Sequence, residues 1–171
     1  RLQALNKKQL TKRVQDAIDY LIKKRCESII IYCNSLSGAI DLRTLRSQNK
    51  LDIITPLDIY KKIARDYDTF GLIAANCQST SNIEKLILKI NKKSIIIGLG
   101  NLQIVKDIEA GLNPTKIVDK HNIVSICRIF IESGAEIIIL GCTHFTYFYE
   151  VLSKKTSFKL LEPSEEMLKL I

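Results

Sequence analysis

Glu136-Ile137-Ile138-Ile139-Leu140-Gly141-Cys142-Thr143-His144 decides the fold. Four large apolar residues in a row, three of them β-branched, read as a strand buried on both faces. Just upstream, Gly134 stands where the cap of a helix over roughly His121 to Glu132 belongs. The same pattern repeats outward from this point. Ser28–Tyr32, Leu51–Ile54, Phe70–Ala75 and Ser94–Gly98 are further expected strands, and Phe158–Leu161 is a last short one. Helices fall between them. Gln9–Lys24 is amphipathic, with Val14, Ala17, Ile18, Leu21 and Ile22 on one face, and Pro56 opens a helix at its first turn. Another runs from the third strand to about Lys89. The last begins at Pro163, with acid from Glu162 to Glu166 at its N-terminal end. Strand and helix in alternation predict a mostly parallel sheet with helices on both faces. In such folds functional groups collect just beyond the carboxyl ends of the strands.

Composition narrows the classes. The chain has 171 residues, 46% apolar and 26% charged. That is a globular balance, long enough for one full core or two small lobes. The apolar runs fall far short of the ~20 residues that span a bilayer, and no secretory leader is expected. No membrane association is expected. The net charge of +8 comes from lysines and arginines scattered along the chain, with no Trp. A charge so diffuse, without basic stretches interleaved with aromatics, solvates a surface and predicts no nucleic-acid partner.

Five cysteines stand at 26, 33, 77, 127 and 142. An odd number at wide spacing fits neither a disulfide framework nor a zinc site, so no metal is expected and the thiols are read as free in a reducing cytoplasm. Three of them follow strands: Cys33-Asn34-Ser35, Asn76-Cys77-Gln78-Ser79 and Cys142-Thr143-His144. A strand end followed by a helix start offers free backbone N–H groups and short polar side chains to an anionic ligand. Cys26 and Cys127 read as structural residues inside helices, and so does Cys77 at its strand end. His121 reads as an ordinary helix residue. Cys33 and Cys142 differ because groups able to orient a substrate follow them directly.

Ile137 to Phe145 resembles the second catalytic motif of the cofactor-independent aspartate/glutamate racemase family. Tyr32-Cys33-Asn34-Ser35 resembles its first, where the family usually has Cys-Asn-Thr. The order between them agrees, through Thr55-Pro56 and Gly71-Leu72-Ile73, and Leu161 to Glu166 resembles the lead into the family's final helix. The resemblance covers about residues 10 to 171. It implies an α/β fold of two pseudo-symmetric lobes with mainly parallel sheets flanked by helices. The first lobe would hold 1–55 plus 158–171, and the second 56–157. It implies no cofactor, and no pyridoxal phosphate in particular. Racemisation removes the Cα proton from one face and returns one to the other, so two acid/base groups must flank Cα. The resemblance assigns these roles to Cys33 and Cys142, with His144 as proton partner of Cys142. Asn34, Ser35 and Thr143 would hold the substrate. Asn76 and Gln78 stand where the family often has threonines and would take their place. A His after Cys-Thr resembles the glutamate branch, so the expected partner is a small acidic amino acid, glutamate first, with a role in peptidoglycan precursor supply. A homodimer is the family expectation.

The chain departs from the family pattern in places. Family members open with a strand ending in Asp-Ser-Gly and then a Pro-Tyr-Gly loop, and neither is in this sequence, which begins at Arg1. The expectation is a fragment of a longer chain, or else a shortened relative without the chemistry. Thr146 takes the place of a Pro, read as a loop detail. Two alternatives stay open: an enzyme for aspartate or another acidic substrate, and a non-catalytic relative that binds an acidic amino acid or a protein partner.

Overall fold

The computed structural model describes residues 6–171; residues 1–5 of the expected first lobe lie outside the described residues. Helix α1 (Lys7–Lys23) starts at a capping box, in which Asn6 and Gln9 each accept the other's backbone N–H. It leads into β1 (Ser28–Ile30), α2 (Asn34–Ala39), α3 (Leu42–Gln48) and β2 (Asp52–Ile54). The two strands pair in parallel, Ser28 opposite Asp52 and Ile30 opposite Ile54. Leu10 and Ile18 of α1 pack with Ile29, Ile31, Ile53 and Leu45 into a small core of their own.

Helix α4 (Pro56–Ile63) carries the chain to a second sheet of β3 (Thr69–Ala74), β4 (Ile95–Gly100), β5 (Ile137–Gly141) and β6 (Leu160–Leu161). Its order is β4-β3-β5-β6, all parallel. The uninterrupted apolar strands are explained by burial on both faces. In β5, Ile138 and Leu140 enter one core, with Ile73, Phe130 and Phe148. Ile137 and Ile139 enter the other, with Phe70, Leu72 and Tyr60. Helices α6 (Leu102–Glu109), α7 (Pro114–Lys120), α8 (Ile123–Glu132) and α9 (Thr146–Lys155) supply residues to the first core, and α4, α5 (Cys77–Ile90) and α10 (Pro163–Leu168) to the second. Gly134, at φ 94°, ends α8 in the left-handed conformation expected of it. Two glycines permit close approach within this sheet: a Cβ on Gly71 would meet the Phe130 ring at 2.6 Å, and one on Gly100 would meet the backbone of Asn76 and Cys77 at 2.3 Å.

The parallel α/β fold thus follows the sequence reading, with differences of placement. The tail expected with the first lobe carries β6, whose backbone pairs with β5 of the larger sheet: Ile138 lies opposite Leu160 and Ile139 opposite Leu161. Cys26 lies just past the turn that follows α1, not within a helix. Cys127 is fully buried in α8, and burial pushes its thiol up to about 12. His121 closes α7 and pairs with Asp107 at 2.7 Å, well covered from solvent. Among the described residues no helix is long and apolar enough to cross a membrane.

Candidate active site

Each sheet sends one cysteine to the same place. Cys33 follows β1 and caps α2, its sulfur accepting the Leu36 N–H at 3.5 Å. Cys142 follows β5 and precedes a single 3-10 turn, Thr143–Phe145. Register brings a third segment alongside, because Ala74 at the end of β3 lies opposite Gly141. The result is a cavity of about 350 Å³ lined by Cys33, Asn34 and Ser35 from the first sheet's side. Ala75, Asn76, Gly141, Cys142, Thr143 and His144 face them, and Leu102, Val105, Lys106 and Glu109 of α6 complete the wall. A volume of this order suits a small ligand.

The sequence-selected residues differ in how they sit. Asn34 is buried, with 7% of its surface exposed. Its Oδ1 accepts the buried Tyr60 hydroxyl at 2.7 Å, while its Nδ2 has no protein partner. A buried amide N–H without an acceptor costs free energy until something accepts from it. Ser35 is exposed, its Oγ 3.4 Å from that of Ser79. Asn76 caps α5 through its Oδ1, which accepts the Ser79 N–H at 2.8 Å. Gln78 is outside the cavity; its side chain is exposed and donates to Asn82 one turn along α5 at 3.1 Å. The reason is helical geometry: two residues past the cap, the side chain has already turned away from the strand ends. Cys77, expected to be buried, is exposed at the first position of α5 and does not line the cavity.

Electrostatics separates Cys142 from ordinary cysteine. Burial pushes the Cys142 thiol up to about 11, and the nearby Cys33 and Glu109 raise it too, against a lowering hydrogen bond from the His144 backbone. His144 Nδ1 stands 3.7 Å from the Cys142 sulfur, and its Nε2 stands 3.4 Å from Glu109 Oε1. The ring thus stands between the thiol at Nδ1 and a carboxylate at Nε2. Glu109 is absent from the sequence reading. Nothing local marks it, since it ends a helix some thirty residues before Cys142, and only the fold brings them together.

Tyr32 and Tyr60 were equally hidden. Tyr60 orients Asn34, and burial raises its phenol pKa. Tyr32 donates to Glu162 and lies 2.8 Å from the Thr146 hydroxyl. Burial and the Glu162 carboxylate push its phenol up to about 12, so it remains a donor at neutral pH.

Fold and cavity define the class: a doubly layered parallel α/β protein with one thiol at each of two strand ends facing a shared small-molecule cleft. Residues 3–171 match the family of Asp/Glu/hydantoin racemases, and the chain belongs to it. A glutamate racemase of Fusobacterium nucleatum is 26% identical over 170 residues, covering 94% of this chain and 61% of the relative. The structure of glutamate racemase from Francisella tularensis in complex with D-glutamate superposes with a TM-score of 0.73 at 23% identity, over 98% of this chain and 64% of that one. Allantoin racemase from Klebsiella pneumoniae superposes at 0.70 with 16% identity, over 92% and 62%. The chain therefore spans less than two thirds of the length of each of these relatives.

Proposed function

We propose that this chain carries the two-base site of an amino-acid racemase, with glutamate as the substrate. The observation that carries the reading is the meeting of Cys33 and Cys142, from different sheets, at one small cavity. Inversion at Cα needs a base on one face and an acid on the other. One thiolate takes the proton, the opposite thiol returns its own, and the roles exchange for the other enantiomer. Burial and the neighbouring sulfur oppose ionisation of Cys142, which suits a pair holding one proton between them. In this reading His144 accepts the Cys142 proton at Nδ1 and Glu109 fixes its tautomer. The free Nδ2–H of Asn34 donates to a substrate carboxylate, with Ser35, Asn76 and Thr143 as further polar partners.

Glutamate is preferred because the curated relative above is a glutamate racemase, and D-glutamate would then supply cell-wall precursor synthesis. The proposed lobes are the two sheets with their helices, and the free thiols support a reducing, cytoplasmic setting. Polarimetry of L-glutamate with the wild type, Cys33→Ala and Cys142→Ala tests the assignment. Each variant is expected to lose net inversion. Inversion at the wild-type rate by either one contradicts the two-base reading.

A further inference from the structure

Tyr32 is joined to Cys33 by one peptide bond, yet its hydroxyl reaches out of the first sheet. It donates to the carboxylate of Glu162 and lies 2.8 Å from Thr146 Oγ1, joining positions 130 and 114 residues apart. Thr146 opens α9; with the phenol proton given to Glu162, the Thr146 hydroxyl is the donor to the Tyr32 oxygen, and the same Oγ1 lies 2.9 Å from the carbonyl of Thr143 in the turn that carries His144. Glu162 is buried and is held in turn by Ser164, whose backbone N–H donates to it at 3.1 Å and whose hydroxyl also donates. The phenol thus touches both the turn behind Cys142 and the buried anchor of the last helix.

We propose that Tyr32 is a positioning residue whose hydroxyl fixes the spacing of Cys33 and Cys142 by tying the loop of the first to the turn of the second. The proposal rests on the two-thiol reading above. Each cysteine follows its own strand, but the strands belong to different sheets, so their relative placement depends on contacts between sheets. Proton transfer to and from Cα tolerates little error in that placement, since a displacement of about 1 Å costs on the order of 10²-fold in rate. The ring of Tyr32 packs against the core beneath it, so the phenol is braced on both sides. Thr146 gives the phenol a hydroxyl that a Pro at that position lacks.

Tyr32→Phe keeps the packing and removes only the hydroxyl. The expected result is a fall in kcat of about tenfold in both directions, with KM within about twofold. Bridging of Cys33 to Cys142 by a short bifunctional thiol reagent, followed by peptide mass spectrometry, is expected to slow by a similar factor. Alkylation of either thiol by a monofunctional reagent is expected to stay at the wild-type rate. Thr146→Val on the exposed side of the contact should reproduce both effects, and the double variant should be no worse than either single one. Tyr20→Phe, on the exposed face of α1, is the control that moves neither. Wild-type bridging and kcat in Tyr32→Phe overturn the proposal. Tyr32-dependent bridging in a chain that does not racemise sinks the racemase reading and leaves the positioning role standing.

Discussion

Asn34 shows how much one side chain decides here. Its carbonyl is occupied by Tyr60, and its buried N–H group is left without a partner, the donor that the proposed function gives to a substrate carboxylate. Asn34→Asp keeps the acceptor for Tyr60 and replaces the donor with negative charge beside the proposed anionic substrate. A hydrogen bond to a charged group contributes about 1.5–3 kcal/mol, so KM should rise by roughly 10- to 150-fold with the fold intact. Steady-state kinetics checks it, and an unchanged KM would remove Asn34 from the site. Cys142 makes a second prediction at this scale. With its pKa raised to about 11 by burial, its thiolate fraction climbs about tenfold per pH unit through the neutral and mildly alkaline range. Alkylation of the Cys142 peptide by iodoacetamide should follow that slope from about pH 7 to 9, and a flat profile would contradict the assigned environment. The motif residues Cys33, Asn34, Cys142 and His144 were legible because each announces itself next to a strand end. Glu109, Tyr60 and Tyr32 were not, because their partners are distant in sequence and nothing within a local window distinguishes them.

Among the elements, the strands were the most legible. Runs such as Ile137–Leu140 and Phe70–Ala75 are apolar on both faces, and the sheet buries them so. A helix start after Cys33 was legible and is α2, but its short span, with two serines and a glycine and no apolar stripe of its own, left its end and the separate helix α3 hidden. Their ends depend on caps: Cys33 for the first and Asp41, which accepts from Thr44 at 3.2 Å, for the second. Gly100 sets the approach of β4 to the start of α5, where Asn76 lines the cavity. Gly100→Ala should force the two apart, at a cost of about 1–3 kcal/mol in urea unfolding and with loss of ligand binding. Unchanged stability and binding would argue that this contact is soft. Asp58 ties Arg46 of α3 to the start of α4. Burial by itself would raise its pKa, but Arg46, Thr55 and Lys61 outweigh it and hold the carboxylate below its usual range. Its stabilisation is therefore complete above the unfolded value of about 3.9 and is lost as pH falls through the lower folded value. Asp58→Asn should be less stable than wild type at pH 7 by about 1–2 kcal/mol, with the gap narrowing below about pH 4. A gap independent of pH would show that the charge is not what matters.

At the scale of the whole molecule, the arrangement is two parallel sheets whose carboxyl ends converge on one cavity. Alternation of strand and helix was enough to expect the class, but it could not place β6. A short Leu160–Leu161 strand carries no sign of which sheet it joins; the register against Ile138 and Ile139 decides it. The converging thiols are the central claim, and proton NMR of L-glutamate incubated with the chain in D2O tests it most directly. Loss of the Cα signal with appearance of the D-enantiomer is predicted for the wild type, and no D-product for Cys33→Ala or Cys142→Ala. Deuterium entry and inversion that persist in either variant at the wild-type rate would contradict the two-thiol account.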